Sequence, residues 1–373
     1  MIKNLIKEDF KRIEINSELS EIVNIMKNEE EALAVFEDGN FVGILSINDF
    51  MERIYPTNTK IKTLVKKNIP KFEIEELDFI KICKTFLENK FKAIPIFSGD
   101  ELKGLIYEKD LVKNSLKFLK KSGKNTKELV EPPITITQEE TVGRARNLMK
   151  KEMISRLPVI DEDGKIIGIV ESKDFLKIIN LKEGPGPGEI IGNQIKEDEF
   201  LVTSIMEKQF SSIEEPLTWE NVIENMKKNN KSYVLILKNN KPVGIITSKD
   251  ILEIIASTEK KEGIYVQITG FEHIENVFDR EKIDSMIEDF IQKIGKIYKN
   301  IEYMFIHIKT SQDTGGDKLY LIRARILTPA GLYVSKSTEW NAIASMNETL
   351  DRLERQIIKD HQKSKDLSKT QNN

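Results

Sequence analysis

The chain has 373 residues, 39% of them hydrophobic and 32% charged, with 58 Lys and Arg set against 61 Asp and Glu. This length predicts two to four domains, while the absence of any run near the roughly 18 apolar residues of a membrane span argues against a membrane-spanning helix. The early charges of Met1-Ile-Lys-Asn-Leu-Ile-Lys-Glu-Asp argue against a signal peptide and place the chain in the cytoplasm.

One cysteine and three histidines leave no zinc-ligand set. Cys83, in Phe79-Ile-Lys-Ile-Cys83-Lys-Thr-Phe86, has the spacing of an inert thiol on a buried helix face. Residues 262–373 hold 16 basic and 17 acidic side chains, so any nucleic-acid contact must come from a local patch.

One segment occurs four times: Gly43-Ile-Leu-Ser-Ile-Asn-Asp49, Gly104-Leu-Ile-Tyr-Glu-Lys-Asp110, Gly168-Ile-Val-Glu-Ser-Lys-Asp174 and Gly244-Ile-Ile-Thr-Ser-Lys-Asp250. Its aspartates lie 61, 64 and 76 residues apart, the mark of a duplicated structural unit. The third copy shows the predicted order of elements. Pro133-Ile-Thr-Ile-Thr137 is extended, 140–153 has helical spacing of Val142, Ala145, Leu148 and Met149, and Leu157-Pro-Val-Ile160 is a buried strand. Asp161-Glu-Asp-Gly164 turns into Ile166-Ile-Gly-Ile-Val170, and a helix is expected at Ser172-Lys-Asp174. Ala93-Ile-Pro-Ile96 and Tyr233-Val-Leu-Ile-Leu237 are the matching strands of the second and fourth copies.

At these residues the chain resembles the CBS-domain family, whose second strand runs Gly-apolar-apolar-Ser/Thr-x-x-Asp into its last helix. The resemblance covers residues 1–257 and implies an α/β array of four tandem CBS domains, at 1–57, 58–120, 121–183 and 201–258, joined as two Bateman modules. Such modules dimerise and bind adenine nucleotides between paired domains, which implies a homodimer and ATP, ADP or AMP as a regulatory ligand, with no cofactor required. A hydroxyl at a helix start can reach a phosphate, and a carboxylate one turn later can accept both ribose hydroxyls. Ser46 with Asp49, and Thr247 with Asp250, are the complete pairs. Asp110 and Asp174 are lesser candidates, because Tyr107 and Glu171 stand at the hydroxyl position and Glu171 would repel a phosphate. An aspartate at a helix start is also a good cap without any ligand. Gly184-Pro-Gly-Pro-Gly188, within a 184–200 loop and linker, lacks the N–H groups of a phosphate loop.

Beyond residue 262 the pattern changes. Strands are predicted at 264–271, 301–309, 319–327 and 332–337, with helices at 279–298 and 341–363, an α+β domain of order β-α-β-β-β-α. The tail 364–373 is expected to be disordered. With Ile268-Thr-Gly270 ending the first strand and Leu353-Glu-Arg-Gln-Ile357 in the last helix, residues 262–363 resemble the ribosome hibernation-promoting factors and ribosome-associated inhibitors. That resemblance implies a partner in the small ribosomal subunit and its rRNA, with the mRNA and tRNA path blocked, as in CBS-linked hibernation factors of archaea.

The residues themselves suggest the contact. Alternation puts Arg323 and Arg325 on one face of a strand, against Tyr320, Ile322, Ala324 and Ile326, with His307, Lys309 and Lys336 as neighbours on an open basic face. On the last helix Arg352, Arg355, Lys359 and Lys363 fall within an arc of about 80°, opposite Met346, Leu350, Leu353 and Ile357. No nucleophile–base pair or metal cluster is visible, so the chain is read as a non-enzyme with neither membrane nor DNA as partner. The alternative is an adenine-nucleotide-sensing regulator that acts on a protein or another RNA.

Overall fold

The computed structural model describes residues 2–28, 31–47, 55–89, 91–178, 200–214, 217–258, 264–312 and 318–370. They divide into two compact units, one within 1–123 and 131–255, the other within 124–130 and 256–373.

The first unit repeats one motif four times. The copies are β1 (Arg12–Glu14), α1 (Leu19–Asn28), β2 (Ala32–Glu37) and β3 (Asn40–Ser46), then β4 (Phe72–Glu73), α2 (Phe79–Asn89), β5 (Ala93–Ser98) and β6 (Glu101–Tyr107), the last followed by α3 (Glu108–Lys113) and α4 (Leu116–Ser122). The third has β7 (Ile136–Thr137), α5 (Val142–Glu152), β8 (Arg156–Ile160) and β9 (Ile166–Glu171). The fourth has β10 (Ser212–Ile213), α6 (Trp219–Lys228), β11 (Tyr233–Lys238), β12 (Lys241–Thr247) and α7 (Ser248–Ser257). Each copy is a three-stranded sheet with a parallel first pair and an antiparallel hairpin. In the third copy, a 3₁₀ turn at Ser172–Leu176 stands where a helix was expected to begin. The linker 184–200 falls outside the described residues apart from Phe200.

The helices form where apolar residues recur on one side. Thr141 caps α5 by accepting the Arg144 N–H at 3.1 Å, and Val142, Ala145 and Met149 are buried against Leu157, Val159 and Val170. Cys83 is buried on α2 among core residues, and burial pushes its thiol up.

All four hairpins carry a register shift just past the residue that faces the repeated glycine: Val35 opposite Gly43, Ile96 opposite Gly104, Val159 opposite Gly168 and Ile236 opposite Gly244. A segment from another part of the chain crosses the strand immediately beyond each glycine. Ile44 exchanges two backbone hydrogen bonds with Lys66, both at 3.1 Å, and Leu105 does the same with Lys7, at 2.8 and 3.0 Å. In the second half Ile169 pairs with Glu207, at 2.8 and 2.9 Å, and the Ile245 N–H donates to the Glu131 carbonyl at 3.1 Å. The crossings are reciprocal: the segment leading into each copy completes its sister, joining the first with the second and the third with the fourth. A Cβ added at Gly104 would lie 2.5 Å from the Lys7 carbonyl oxygen, and one at Gly168 would lie 2.9 Å from that of Glu207. Only glycine admits this approach.

The second unit is a four-stranded sheet of β13 (Tyr265–Thr269), β14 (Tyr303–Gln312), β15 (Lys318–Thr328) and β16 (Gly331–Glu339), in that spatial order. β13 runs parallel to β14, and the rest are antiparallel. Helices α8 (Val277–Gly295) and α9 (Ala342–Thr370) bury Ile283, Ile287, Phe290, Met346, Leu350, Leu353 and Ile357 against Met304, Ile306, Ile308, Ile322, Ala324 and Ile326. Buried hydroxyls join α9 to β16, with Ser337 Oγ 2.7 Å from Ser345 Oγ and 2.9 Å from Thr349 Oγ1. The final helix continues through Thr370 rather than ending near 363, because neither glycine nor proline interrupts it and its side chains are mostly good helix formers. Residues 124–130 also belong to this unit: a 3₁₀ turn at Thr126–Leu129 packs against β16, and Lys124 Nζ lies 2.5 Å from Glu302.

Gly104→Ala is expected to cost about 1–3 kcal/mol through overpacking against the crossing backbone. Gly295→Ala, at a position with open space around the added methyl, is expected to cost nothing. Urea unfolding of both variants measures the contrast, and equal midpoints would rule out the steric role of Gly104.

Candidate ligand and RNA-contact sites

The four hydroxyl-equivalent positions occupy one register. Each faces the first residue of the preceding strand: Ser46 faces Ala32, Tyr107 faces Ala93, Glu171 faces Arg156 and Thr247 faces Tyr233. The structure therefore places the candidates equivalently, but their surroundings differ.

Ser46 is buried at the end of β3, and its partner Asp49 lies outside the described residues. In the fourth repeat Asp250 accepts both the Thr247 N–H, at 2.6 Å, and the Thr247 hydroxyl, at 2.7 Å. The carboxylate caps the start of α7 and at the same time fixes the hydroxyl's orientation. The cap reading of this aspartate thus has a geometry, and the hydroxyl and carboxylate proposed as a nucleotide pair lie in direct contact.

The second repeat has no hydroxyl site of this kind. Tyr107 is buried, with the Lys7 and Lys109 ammonium groups 5.1 and 5.7 Å from its ring centroid, and Asp110 pairs with Lys7 at 2.9 Å. Beside it Lys92 Nζ meets Glu108 at 3.0 Å, both side chains largely buried. Burial works against the Lys92 charge, but Glu108 and then Glu31 outweigh it, so its pKa is raised.

In the third repeat Glu171 is buried and surrounded by cations: Lys231 at 2.6 Å, Arg156 at 3.5 Å and Lys173 at 4.0 Å. Burial opposes its charge, yet Arg156, then Lys231 and Lys173, prevail, and its carboxyl is held below the usual range. Arg156 also donates to the Ser232 hydroxyl, so Arg156 and Lys231 tie the third and fourth repeats together. Asp174 completes a capping box by accepting the Glu171 N–H at 2.7 Å, and it pairs with Lys177 at 3.0 Å. Asp174 is 1% exposed, and burial pushes its carboxyl up to about 6 despite Lys177 and the Glu171 N–H. Sequence reasoning missed Lys92, Arg156 and Lys231. Their signal was position, at or just before the start of the strand that faces each hydroxyl site.

In the second unit the alternation along β15 is as expected, with Ile322, Ala324 and Ile326 in the core. The basic face is not open throughout, however: Arg325 is 3% exposed and His307 is buried, its Nδ1 2.7 Å from Thr269 Oγ1. Arg323, Lys309 and Lys336 are half-buried. Alternation decides which face a residue takes, and exposure depends on what else packs there. The helix stripe is open: Arg352, Arg355, Lys359 and Lys363 are all exposed. Arg352 binds Glu348 and the Lys336 carbonyl, each at 2.7 Å, and Arg355 lies 3.6 Å from Glu348. These contacts hold the N-terminal half of the stripe in place. Among the described residues, no group of three or more His, Cys, Asp or Glu side chains could hold a metal, and no helix is long and apolar enough to cross a membrane.

Two known families match parts of the chain. The CBS domain family matches residues 2–56, 127–181 and 202–257, and the family described as hibernation factor Hib, C-terminal domain, matches residues 265–373. The second repeat lies between those matches and carries the same three-stranded sheet. Protein MJ1404 of Methanocaldococcus jannaschii is 25% identical over 315 residues, covering 78% of this chain and 74% of that protein. The crystal structure of protein MJ1225 from the same organism has a TM-score of 0.54 at 21% identity, over 68% of this chain and 98% of that one, a likeness of fold. The CBS domain pair of protein MJ0100, solved in complex with 5′-methylthioadenosine and S-adenosyl-L-methionine, is 26% identical with a TM-score of 0.29, over 36% of this chain and 96% of that one.

The raised pKa of Asp174 has a measurable consequence. Its folded value lies above the ordinary one, so its contribution to stability is fully present below the unfolded pKa and is lost as pH rises through about 6. Relative to Asp174→Asn, the wild type is expected to lose on the order of 2 kcal/mol between about pH 4 and about pH 7. Urea unfolding of both proteins across that range tests it, and parallel pH profiles would refute the assignment.

Proposed function

Because the chain carries CBS domains followed by the C-terminal domain of the hibernation factors, we propose that it is a cytoplasmic ribosome hibernation factor whose C-terminal unit docks on the small subunit and blocks the mRNA and tRNA path. The observation that carries this reading is the exposed stripe of Arg352, Arg355, Lys359 and Lys363 on the helix of the matched domain. Four cations spaced along one helix face suit a phosphate backbone, whereas Arg325 is buried and so is not presented to one. Arg323, Lys309 and Lys336 form a secondary contact beside the stripe.

The CBS array then acts as the sensor. Thr247 with Asp250 takes an adenine nucleotide, ATP, ADP or AMP, and so does Ser46 with Asp49. The carboxylate receives the ribose hydroxyls and the hydroxyl receives the phosphate. A nucleotide alters docking only to the extent that it binds the docked and undocked arrangements with different affinity.

Sucrose-gradient sedimentation with ribosomal subunits tests the docking. Comigration with the small subunit is expected to weaken with salt, with a log–log slope of about −3 for four phosphate contacts, falling to about −1.5 in Arg355→Glu/Lys359→Glu. Absence of comigration at every salt concentration would sink the ribosome reading and favour a nucleotide-sensing regulator of a protein partner. For the sensor, Thr247→Val/Asp250→Asn is expected to weaken one nucleotide equivalent about tenfold or more in calorimetric titration. Unchanged binding would remove these residues from the site.

A further inference from the structure

The convergence on Glu171 has the composition of an anion site already filled. Lys231, Arg156 and Lys173 approach one carboxylate from 2.6 to 4.0 Å, and the first two are themselves largely buried. Asp174, paired with Lys177, is a further charged group at this point, and the neutral phenol of Tyr233, whose pKa burial pushes up, has its ring under Arg156 at 5.1 Å and Lys231 at 5.9 Å. Two cations cannot remain together at low exposure without an anion. The carboxylate that supplies it occupies the register position held by Ser46 and Thr247 in the first and fourth repeats.

We propose that Glu171 is a resident anion: it fills the place that a phosphate monoester would take in the third repeat, closes that repeat to phosphorylated ligands, and fixes the third and fourth repeats to each other through Lys231. The second repeat follows the same logic with different residues. Tyr107 takes the hydroxyl's place there, and Glu108 neutralises the buried Lys92 at 3.0 Å. Phosphorylated ligands are thereby confined to the two repeats that keep a hydroxyl. This inference extends the nucleotide-sensing reading, but its test uses inorganic phosphate, so failure of one does not entail failure of the other.

Glu171→Ser restores the residue type of the first repeat, and Glu171→Gln removes the charge while keeping the shape. In equilibrium dialysis of the full-length chain, each variant is expected to bind one more equivalent of inorganic phosphate than the wild type. Each should also gain a phosphate-dependent rise in melting temperature of about 2–4 °C that the wild type lacks. Adding Lys231→Ala to either variant should abolish the extra equivalent. Variants that fold only when phosphate is present would equally support the proposal, since an external anion then replaces the internal one. Unchanged stoichiometry in folded variants overturns it, as does an extra equivalent that survives Lys231→Ala. Failure of both variants to fold with or without phosphate also overturns it, because the carboxylate would then do more than supply charge.

Discussion

The first unit depends on a backbone crossing. Beyond each repeated glycine, a segment from elsewhere in the chain pairs with the hairpin strand, and at Gly43, Gly104 and Gly168 the separation leaves no room for a Cβ. Because the exchange is reciprocal, each repeat's three-stranded sheet is bridged by the segment that leads into its sister, and the repeats join as pairs. The glycine and the aspartate of the recurring segment therefore persist for different reasons. The glycine answers a steric demand from a neighbouring peptide, while the aspartate at Asp174 and Asp250 answers the hydrogen-bonding demand of a backbone N–H at a helix or turn start. The shared hairpin register places Ser46, Tyr107, Glu171 and Thr247 at equivalent positions.

Much of this was legible in the sequence because it is local and periodic. The recurring segment announced the array, the two-residue period of β15 assigned Ile322, Ala324 and Ile326 to the core, and helical spacing placed Leu353 and Ile357 opposite the basic stripe. What stayed hidden was non-local. Lys231 meets Glu171 across 60 residues, and Arg156 reaches Ser232 across 76. No spacing rule links such residues until the repeats are placed side by side. Glu171 read as a repulsive charge because its three cations were not yet beside it. The burial of Arg325 was invisible for a similar reason, since a strand's own pattern says nothing about what covers its second face.

Equivalent positions thus hold unlike chemistry. Two repeats end their strands on hydroxyls, while the other two place an ion pair at or next to that position. The near balance of charge in the chain is partly this internal neutralisation, with lysines spent on buried carboxylates rather than presented to a polyanion. The long stripe on α9 stands out against that background. Its cations are exposed, and its first two are oriented by Glu348 and a strand carbonyl without being buried by them.

The segment 124–130 gives the second unit a discontinuous make-up with a consequence for synthesis. These residues leave the exit tunnel more than a hundred positions before Tyr265, the first residue of the sheet they join. The residues flanking this segment belong to the first unit, where α4 packs on α6 and Glu131 receives the Ile245 N–H. The two stretches of the second unit are thus made far apart in synthesis, and its sheet gains the 124–130 turn only once β16, the last strand, has been made. A piece beginning at Ala256 would contain every strand and both helices and would still lack part of its own domain.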